Sequence, residues 1–479
     1  MNSPVNLPIA HDSFVALRAE RIDALNIRIE HYEHRDTGAV HYHLATDNPE
    51  NVFLVALRTV PQDSRGVAHI LEHTALCGSE RYPVRDPFFM MLRRSLNTFM
   101  NAFTSSDWTA YPFASQNRKD FRNLLDVYLD AVFFSKLDPL DFAQEGHRVE
   151  FAEVGNTDSD LVYKGIVFNE MKGAMSSVPS RLWQTLCHHL FPTSTYHYNS
   201  GGEPENIPEL SYEQLQQFYK SHYHPSNATF MTFGDIPAAE HQAVFHEQAL
   251  RQFTRLDKRI VVQPEQRFSK PLRVLERYAF DEEGPKERRT HIVMAWLLGE
   301  STELKDLLEA QLLTSVLMEN SASPLQQALE TTRLGSSPSP LCGLEDSMRE
   351  LVFSCGVEGS DPENEEAVEA LILGVIEGIA ADGVPQEQLE AVLHQLELHQ
   401  REISGDGMPF GLNLILQALG PATHYADPIP SMDLDPVIIQ LREQIADPHY
   451  IRTLARKLLL ENPHRLTLVM TPDSSLSAQ

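Results

Sequence analysis

The chain has 479 residues, of which 42% are hydrophobic and 22% are charged, so a disordered or fibrous class is excluded and two or three folded domains are expected, with two preferred. The 67 acidic and 39 basic side chains give a formal net charge of -28. This excess argues against a nucleic-acid partner, because phosphate backbones are themselves negative.

The cysteines and the N-terminal segment bear on the cellular compartment. Cys77, Cys187, Cys342 and Cys355 are far apart and form no CxxC pair, which is typical of a reducing compartment. The first residues, MNSPVNLPIAHDSF, contain no basic segment followed by an apolar run. No stretch approaches the roughly 18 apolar residues of a membrane span. We therefore expect a cytoplasmic location and no membrane partner.

The first predicted elements are three strands and a helix. RIEHYEH, AVHYHLA and VFLVALRTV are separated by turn sequences at 36–38 and 47–49, a pattern typical of a strand meander over residues 27–60. GVAHILEHTALCG then has the apolar spacing of a helix. Gly78 predicts the end of this helix, because glycine readily takes the left-handed conformation of a C-terminal cap.

Strands and helices alternate through the rest of the first half. TFMNAF and WTAYPFA flank a turn at 104–107 and predict a hairpin, and DFRNLLDVYLDAVFF predicts a helix. Further helices are predicted at VFNEMKGAM, SRLWQTLCHHLF and YEQLQQFYKSHY, before the apolar strand NATFMTFGDI.

The second half repeats this kind of order. A polar stretch after residue 235 predicts a domain boundary near residue 260. The strands THIVMAWLLG, ELVFSCGVEG and HRLTLVMTPD then alternate with pairs of predicted helices, and the closing segments HPSNATFMTFGD and NPHRLTLVMTPD are similar. We predict an α+β fold of two similar domains, residues 1–260 and 261–479.

The main chemical feature is the H-x-x-E-H motif formed by His69, Glu72 and His73. Residues four apart lie on one face of a helix, so the two imidazoles can bind one ion. Zinc accepts imidazole and carboxylate ligands, and a catalytic zinc site keeps three protein ligands and one position for water. The motif predicts a zinc site with Glu72 as general base; the alternative is a surface helix with two solvated histidines.

The third ligand is not fixed by spacing. Glu145, Glu150, Glu153 and Glu170 all follow the motif and could complete the site.

Other metal-binding residue types elsewhere in the chain carry a weaker signal. The pairs at 41/43, 188/189 and 222/224 are histidines without a carboxylate or cysteine at ligand spacing, so we interpret them as ordinary buried or exposed histidines. Cys77 follows the motif helix, and we interpret it as a small buried side chain.

Several long segments resemble the pitrilysin/insulinase family of inverted zincins, and within it the presequence protease branch. They are GVAHILEHTALCGS, RDPFFMMLRRSLNTFMNAFTSSDWTAYPF, QEGHR, KGIVFNEMKGAMSS, SGGEPENIPELSYEQLQQFYKSHYHPSN and LMENSASPLQQAL. The resemblance spans most of the chain. It implies two similar domains, each a mostly antiparallel sheet packed with helices, with one zinc ion bound in the first.

The resemblance also assigns the acidic residues of the site. It implies that the glutamate of NEMKG, Glu170, is the third zinc ligand. Glu145 then becomes an acid that supports a ligand histidine. Glu72 would take a proton from water and return it to the leaving amine.

A peptide-binding region is implied in the same way. The resemblance suggests that Asn101, Ala102 and Phe103 pair with an extended peptide through main-chain hydrogen bonds. Leu76, Phe88 and Phe89 would line an apolar side-chain pocket; the alternative for these three is plain core packing.

The resemblance covers only the first half of the family's proteins. Their second half closes a chamber over the zinc and supplies an arginine and a tyrosine that bind substrate. We therefore predict a zinc endopeptidase of short unfolded peptides that needs a second-half polypeptide or a homodimer partner. The alternative is a zinc-binding but weakly active peptide-binding or assembly subunit, or a truncated fragment.

Overall fold

The structure, a computed structural model, describes residues 7–280, 286–401 and 407–476. These residues form two compact units, each assembled from separate stretches of chain. The first unit contains residues 7–174, 198–262 and 407–433, and the second contains the remaining described residues.

Strands and helices alternate along both units. The strands are β1 Phe14–Ile22, β2 Ile27–His34, β3 Val40–Ala45, β4 Asn51–Arg58, β5 Asn97–Met100, β6 Phe103–Thr104, β7 Trp108–Ser115, β8 Arg148–Phe151, β9 Leu161–Lys164, β10 Ala228–Gly234, β11 Leu272–Ala279, β12 Thr290–Glu300, β13 Ser337–Pro338, β14 Gly343–Glu345, β15 Glu350–Ser360 and β16 Arg465–Asp473. The α-helices are α1 Val67–Ala75, α2 Pro87–Arg94, α3 Arg118–Phe133, α4 Pro139–Glu145, α5 Ile166–Met175, α6 Val178–Leu190, α7 Tyr212–His222, α8 Ala238–Gln248, α9 Leu304–Met318, α10 Pro324–Thr331, α11 Glu365–Asp382, α12 Gln386–Arg401, α13 Phe410–Thr423, α14 Asp435–Ile445 and α15 His449–Ala455.

The first unit is built on a sheet with the strand order β1-β2-β3-β10-β4-β7-β5, and β6 pairs with β7. β10 lies between β3 and β4, parallel to the former and antiparallel to the latter. Every residue of β4 and β10 is buried, which explains why both sequences are continuous apolar runs rather than alternating ones. β8 and β9 form a separate hairpin.

The second unit repeats this arrangement. Its sheet has the order β11-β16-β12-β15-β13, and β16 lies parallel to β11 and antiparallel to β12. A buried cluster around Trp296, Leu313 and Phe353 packs α9, α10 and α11 against this sheet. The predicted α+β class, with two similar and mostly antiparallel sheets, is confirmed. The assignment of 1–260 to a catalytic domain and 261–479 to a second domain stays a prediction, because packing units do not report function.

The motif helix α1 is shorter than the sequence predicted. It ends at Ala75, because the backbone N–H groups of Leu76 and Cys77 bond to carbonyls only three residues back and tighten the last turn. Gly78 lies outside the helix and has no left-handed backbone conformation. The prediction that Gly78 caps the helix was therefore wrong.

No helix in the described part of the chain is both long and apolar enough to cross a membrane.

Candidate metal centre and active site

Helix α1 carries the motif at the surface of the first unit. It begins after Gly66, whose φ of 69° lets the chain turn sharply into the helix. Ile70 and Leu71 are buried in the core, while the side chains of His69 and His73 are 12% and 25% exposed. The amphipathic helix thus fixes the backbone of the motif and leaves its two imidazoles partly accessible.

Both imidazoles are held at the same ring atom. Nδ1 of His69 lies 3.2 Å from the carbonyl oxygen of Gly201, and Nδ1 of His73 lies 3.1 Å from Oε2 of Glu145. A carbonyl or a carboxylate oxygen can only accept, so each Nδ1 donates its proton. In its neutral form each ring therefore presents the lone pair of Nε2, the arrangement that supporting acceptors impose on metal-binding histidines.

Glu170 reaches the same point from helix α5. Its Oε2 lies 3.8 Å from Nε2 of His69 and 3.9 Å from Nε2 of His73, and one ligand atom from each of the three residues lies within 4.8 Å of the others. Two atoms bound to one zinc ion at about 2.1 Å are at most about 4.2 Å apart. The observed carboxylate-to-imidazole distances therefore fit a shared ion, and the donor set is one that zinc accepts.

The negative charges around His73 favour the binding of a cation at this site. Burial by itself lowers the pKa of His73, but the hydrogen bond to Glu145 and the negative charges of Glu72, Glu145 and Glu170 raise it above its ordinary value. A site that stabilises an imidazolium in this way also stabilises a divalent cation.

The other candidate ligands lie in other surroundings. Glu145 is buried and contacts His73, as expected for a supporting acid. Glu150 lies on the β8–β9 hairpin, bonded to Arg148 and Lys164. Within residues 7–280, 286–401 and 407–476, the only group of three potential ligands close enough to share an ion is His69, His73 and Glu170. Their role as zinc ligands remains a prediction.

Glu72 and the neighbouring His73 line a cavity of about 330 Å³. Its Oε2 accepts a hydrogen bond of 2.5 Å from the hydroxyl of Thr104 on β6. Glu72 does not belong to the group of His69, His73 and Glu170 but lies on the same helix as the two histidines, which is a placement that suits a general base. The cavity is lined by Glu72, His73, Leu76, Cys77, Asp86, Phe88, Phe89, Asn101, Ala102, Gln144, Glu145 and Ile166.

Five of the six residues predicted to bind peptide line this cavity; Phe103 is the exception. Phe88 is buried and packs against Tyr128, whereas Phe89 is 57% exposed, so the two rings differ in how far core packing accounts for them. Asn101 and Ala102 lie between β5 and β6 rather than within a strand. A peptide-binding role for these residues stays a prediction.

The two histidines of β3 and the cysteine of the motif region have local partners. His41 and His43 share one face of β3, where each ring is 2.8 Å from the hydroxyl of Thr232. The thiol of Cys77 donates to the carbonyl of His73, and burial, with smaller contributions from nearby acids, raises the pKa of Cys77 well above its usual range. The thiol is therefore protonated and a poor ligand or nucleophile.

Two contacts of this site were not predicted from the sequence. The first is the donation from Thr104 to Glu72. The second is the loop at 199–203, whose Gly201 carbonyl orients His69 and whose Asn199 and Glu203 bond to Ser64 just before the helix. The family resemblance includes the segment SGGEPEN but assigns it no role, although its paired glycines signal a close backbone approach.

The fold and the site together define a class of protein, α+β chains that carry an inverted zincin motif on a helix following a central strand. Residues 58–176 match the insulinase family, peptidase family M16, and residues 209–396 match the M16 inactive domain. The chain belongs to the insulinase/pitrilysin family M16, and the resemblance stated above is confirmed.

Curated relatives share much of the sequence. The chain is 43% identical over 446 residues to the mitochondrial presequence protease of Xenopus tropicalis, covering 92% of this chain and 43% of the relative. It is 36% identical to presequence protease 1, chloroplastic/mitochondrial, of Arabidopsis thaliana, covering 94% of this chain and 42% of the relative. The chain thus spans less than half the length of these relatives.

Solved structures share the fold at low identity. A protease from Helicobacter pylori superposes with a TM-score of 0.70 at 16% identity, covering 93% of this chain and 99% of that chain. Pitrilysin gives a TM-score of 0.66 at 16% identity, covering 96% of this chain and 46% of that chain. The predicted pitrilysin-like architecture is confirmed.

The expected cytoplasmic location was wrong. The curated relatives are named mitochondrial or chloroplastic, which points to an organelle. The composition of the first residues, on which the expectation was based, does not determine the compartment.

Proposed function

We propose that this chain is the metal-binding part of a zinc-dependent peptidase that hydrolyses short unfolded peptides. His69, His73 and Glu170 bind one zinc ion, and Glu72 is the general base. The observation that carries the proposal is the approach of three ligand atoms from two helices to within 4.8 Å of one another, with Glu72 and His73 both in the lining of an open cavity.

The residues of the chain divide the chemistry between them. A bound zinc ion supplies Lewis-acid activation of water and of the scissile carbonyl. Gly201 and Glu145 keep the Nε2 atoms of His69 and His73 directed at the ion site. Glu72 removes a proton from the attacking water and transfers it to the leaving amine.

The substrate class follows from the cavity and the charge of the chain. A cavity with Leu76, Phe88, Phe89 and Ile166 in its lining suits an apolar side chain of an extended peptide. The formal charge of -28 attracts cationic peptides. The relatives are named presequence proteases, and we propose cleaved targeting peptides as one natural substrate.

Binding to zinc can be tested with a matched pair of glutamates. Glu170→Ala should abolish stoichiometric zinc binding and peptide hydrolysis, because it removes a ligand. Glu150→Ala is the control, since Glu150 was one of the alternative ligands and instead bonds to Arg148 and Lys164. Metal content and cleavage of a fluorogenic unfolded peptide are the measurements. Unchanged zinc affinity in the Glu170 variant would contradict the proposal.

We also propose a second candidate function, in which the chain is a zinc-binding subunit that is weakly active until a second-half polypeptide or a second copy joins it. The matched region corresponds to 43% of the Xenopus relative. The family resemblance implies that the arginine and the tyrosine of the second half also stabilise the oxyanion of the reaction, and loss of one such donor typically costs about 10²- to 10³-fold in rate. Light scattering combined with a peptide assay separates the candidates: full activity from a monomer rules out the subunit role, and activity only after assembly supports it.

A further inference from the structure

The hydroxyl of Thr104 lies 2.5 Å from Oε2 of Glu72. We propose that Thr104 is a positioning residue that holds Glu72 in the orientation needed for proton transfer. This inference rests on the proposed function, in which Glu72 is the general base.

The direction of the hydrogen bond is fixed by chemistry. An ionised carboxylate has no proton to give, so the threonine O–H donates and Glu72 accepts. A length of 2.5 Å is within the range of hydroxyl-to-carboxylate bonds, which are shorter and stronger than neutral ones. Oε2 of Glu72 is occupied in this way, and Oε1 is left to take the proton of the attacking water.

Thr104 is itself held by the sheet. It forms a backbone pair with Thr109 on β7, a strand that pairs with the buried central strand β4. The backbone N–H of Ser105 closes the connecting turn by donating to the carbonyl of Trp108 at 2.8 Å. The partner Thr109 is buried, and its hydroxyl lies 2.7 Å from that of Thr59.

The side chains of Glu72 and Thr104 differ in conformational freedom. Glu72 lies on a partly exposed face of α1 and has three rotatable side-chain bonds, whereas a β-branched threonine in a strand has a restricted χ1 angle. Thr104 can therefore transfer the rigidity of β7 to a carboxylate that the helix alone does not fix. A misplacement of about 1 Å at a reacting group can cost about 100-fold in rate.

Thr104→Val is the decisive variant, because valine keeps the β-branched shape and removes the hydroxyl. Thr104→Ser restores the hydroxyl, and Ser105→Ala is the control that removes a hydroxyl from the next residue of the same turn. All are measured as zinc-loaded chains of residues 1–479 with a fluorogenic peptide. Zinc content and thermal melting are recorded for each.

For Thr104→Val we expect kcat to fall about 10- to 100-fold, with KM changed less than about threefold and zinc content unchanged. Thr104→Ser should recover most of kcat, and Ser105→Ala should resemble the wild type. A kcat within twofold of wild type for Thr104→Val, a loss confined to KM, or no recovery in Thr104→Ser would overturn the inference.

Crystal structures decide the question without turnover, so the proposed function and this inference can fail separately. We expect one Glu72 rotamer in the wild type and in Thr104→Ser, and several in Thr104→Val. A single unchanged rotamer in Thr104→Val overturns the positioning role. Wild-type activity that survives Glu72→Gln, by contrast, refutes the general base and therefore the proposed function.

Discussion

The sheets of the two units share one feature of topology, a late strand that inserts between two earlier ones. In the first unit β10 inserts between β3 and β4, parallel to one and antiparallel to the other, and in the second unit β16 inserts between β11 and β12 in the same way. Each of these late strands is apolar and mostly buried. The sheets therefore provide equivalent central frameworks.

The helix that follows the equivalent strand distinguishes the units. After β4, α1 buries Ile70 and Leu71, leaves two histidines partly exposed and places Glu72 in the lining of a cavity. After β12, α9 contributes a dense apolar set to the core, including Leu312, Leu313 and Val316. The shared framework therefore does not determine the chemistry of a unit, whereas a few side chains on one helix do.

The largest effect should come from the acid of the first helix. Glu72→Gln should lower kcat by about 10²- to 10⁴-fold while zinc remains bound, because the amide cannot accept the proton. The control in the second unit is Glu309→Gln on α9, where the carboxylate is buried and accepts a 2.7 Å bond from Tyr450. That change should lower the melting temperature and leave kcat intact. Equal losses of activity would remove the contrast between the helices.

The second-largest effect should be a loss of stability at low pH that is greater in the first unit than in the second. In the first unit burial lowers the pKa of His34, His43 and His222 to about 4, and with them His31, His41, His224 and His241 shift downward, whereas in the second unit the described residues with lowered values are His188, His291 and His464.

The sign follows from proton linkage. A histidine that stays neutral when folded but binds a proton when unfolded stabilises the unfolded chain below about pH 6.5. The stability present above that pH is lost as the pH falls toward 4, at about 1.4 kcal/mol per pH unit for each such histidine. Hydrogen exchange in the presence of a chelator should show β3 losing protection before β12. Simultaneous loss would contradict the prediction.

A buried carboxylate of each unit gives a smaller effect. Glu145→Gln should weaken zinc binding by about 10- to 100-fold, since the acid orients His73. Its counterpart is Glu350→Gln, because Glu350 is buried and accepts bonds from Arg267 and from the backbone of Glu265. That variant should lose stability and keep its zinc affinity, as measured by competition with a chromogenic chelator. An unchanged affinity in Glu145→Gln would exclude the supporting role.

The sequence predicted helices and strands where a pattern of apolar residues could be recognised within a short segment. The apolar runs of β4 and β10 and the helical spacing around His69 and His73 are read within a few residues. Helix α13 was missed although its sequence is strongly apolar. It packs against β4 and β10 from a distant part of the chain. Packing between distant segments cannot be inferred from the pattern of a few neighbouring residues.

In the candidate site, too, features within one short segment were predicted and contacts between distant segments were not. Spacing identifies the two histidines of α1, but Glu170 lies far along the chain on α5, so only the family resemblance selected it among the acids. The contact of Thr104 was not predicted because a single hydroxyl has no sequence signature, and that of the Gly201 carbonyl was not predicted because paired glycines indicate a close backbone approach without identifying its partner. Contacts of this kind are set by the approach of separate segments rather than by residue type.

The smallest effect compares one glycine from each unit. Gly66 has a φ of 69°, and a Cβ there would lie 2.8 Å from the Gly201 carbonyl that orients His69. Gly66→Ala should therefore destabilise the first unit by about 1–2 kcal/mol and weaken zinc binding. Gly374 in the middle of α11 has open space around its Cβ position, so Gly374→Ala should stabilise by about 0.5–1 kcal/mol. Denaturant midpoints measure both changes; if both alanines stabilise, the close approach between the loop and α1 does not constrain the motif helix.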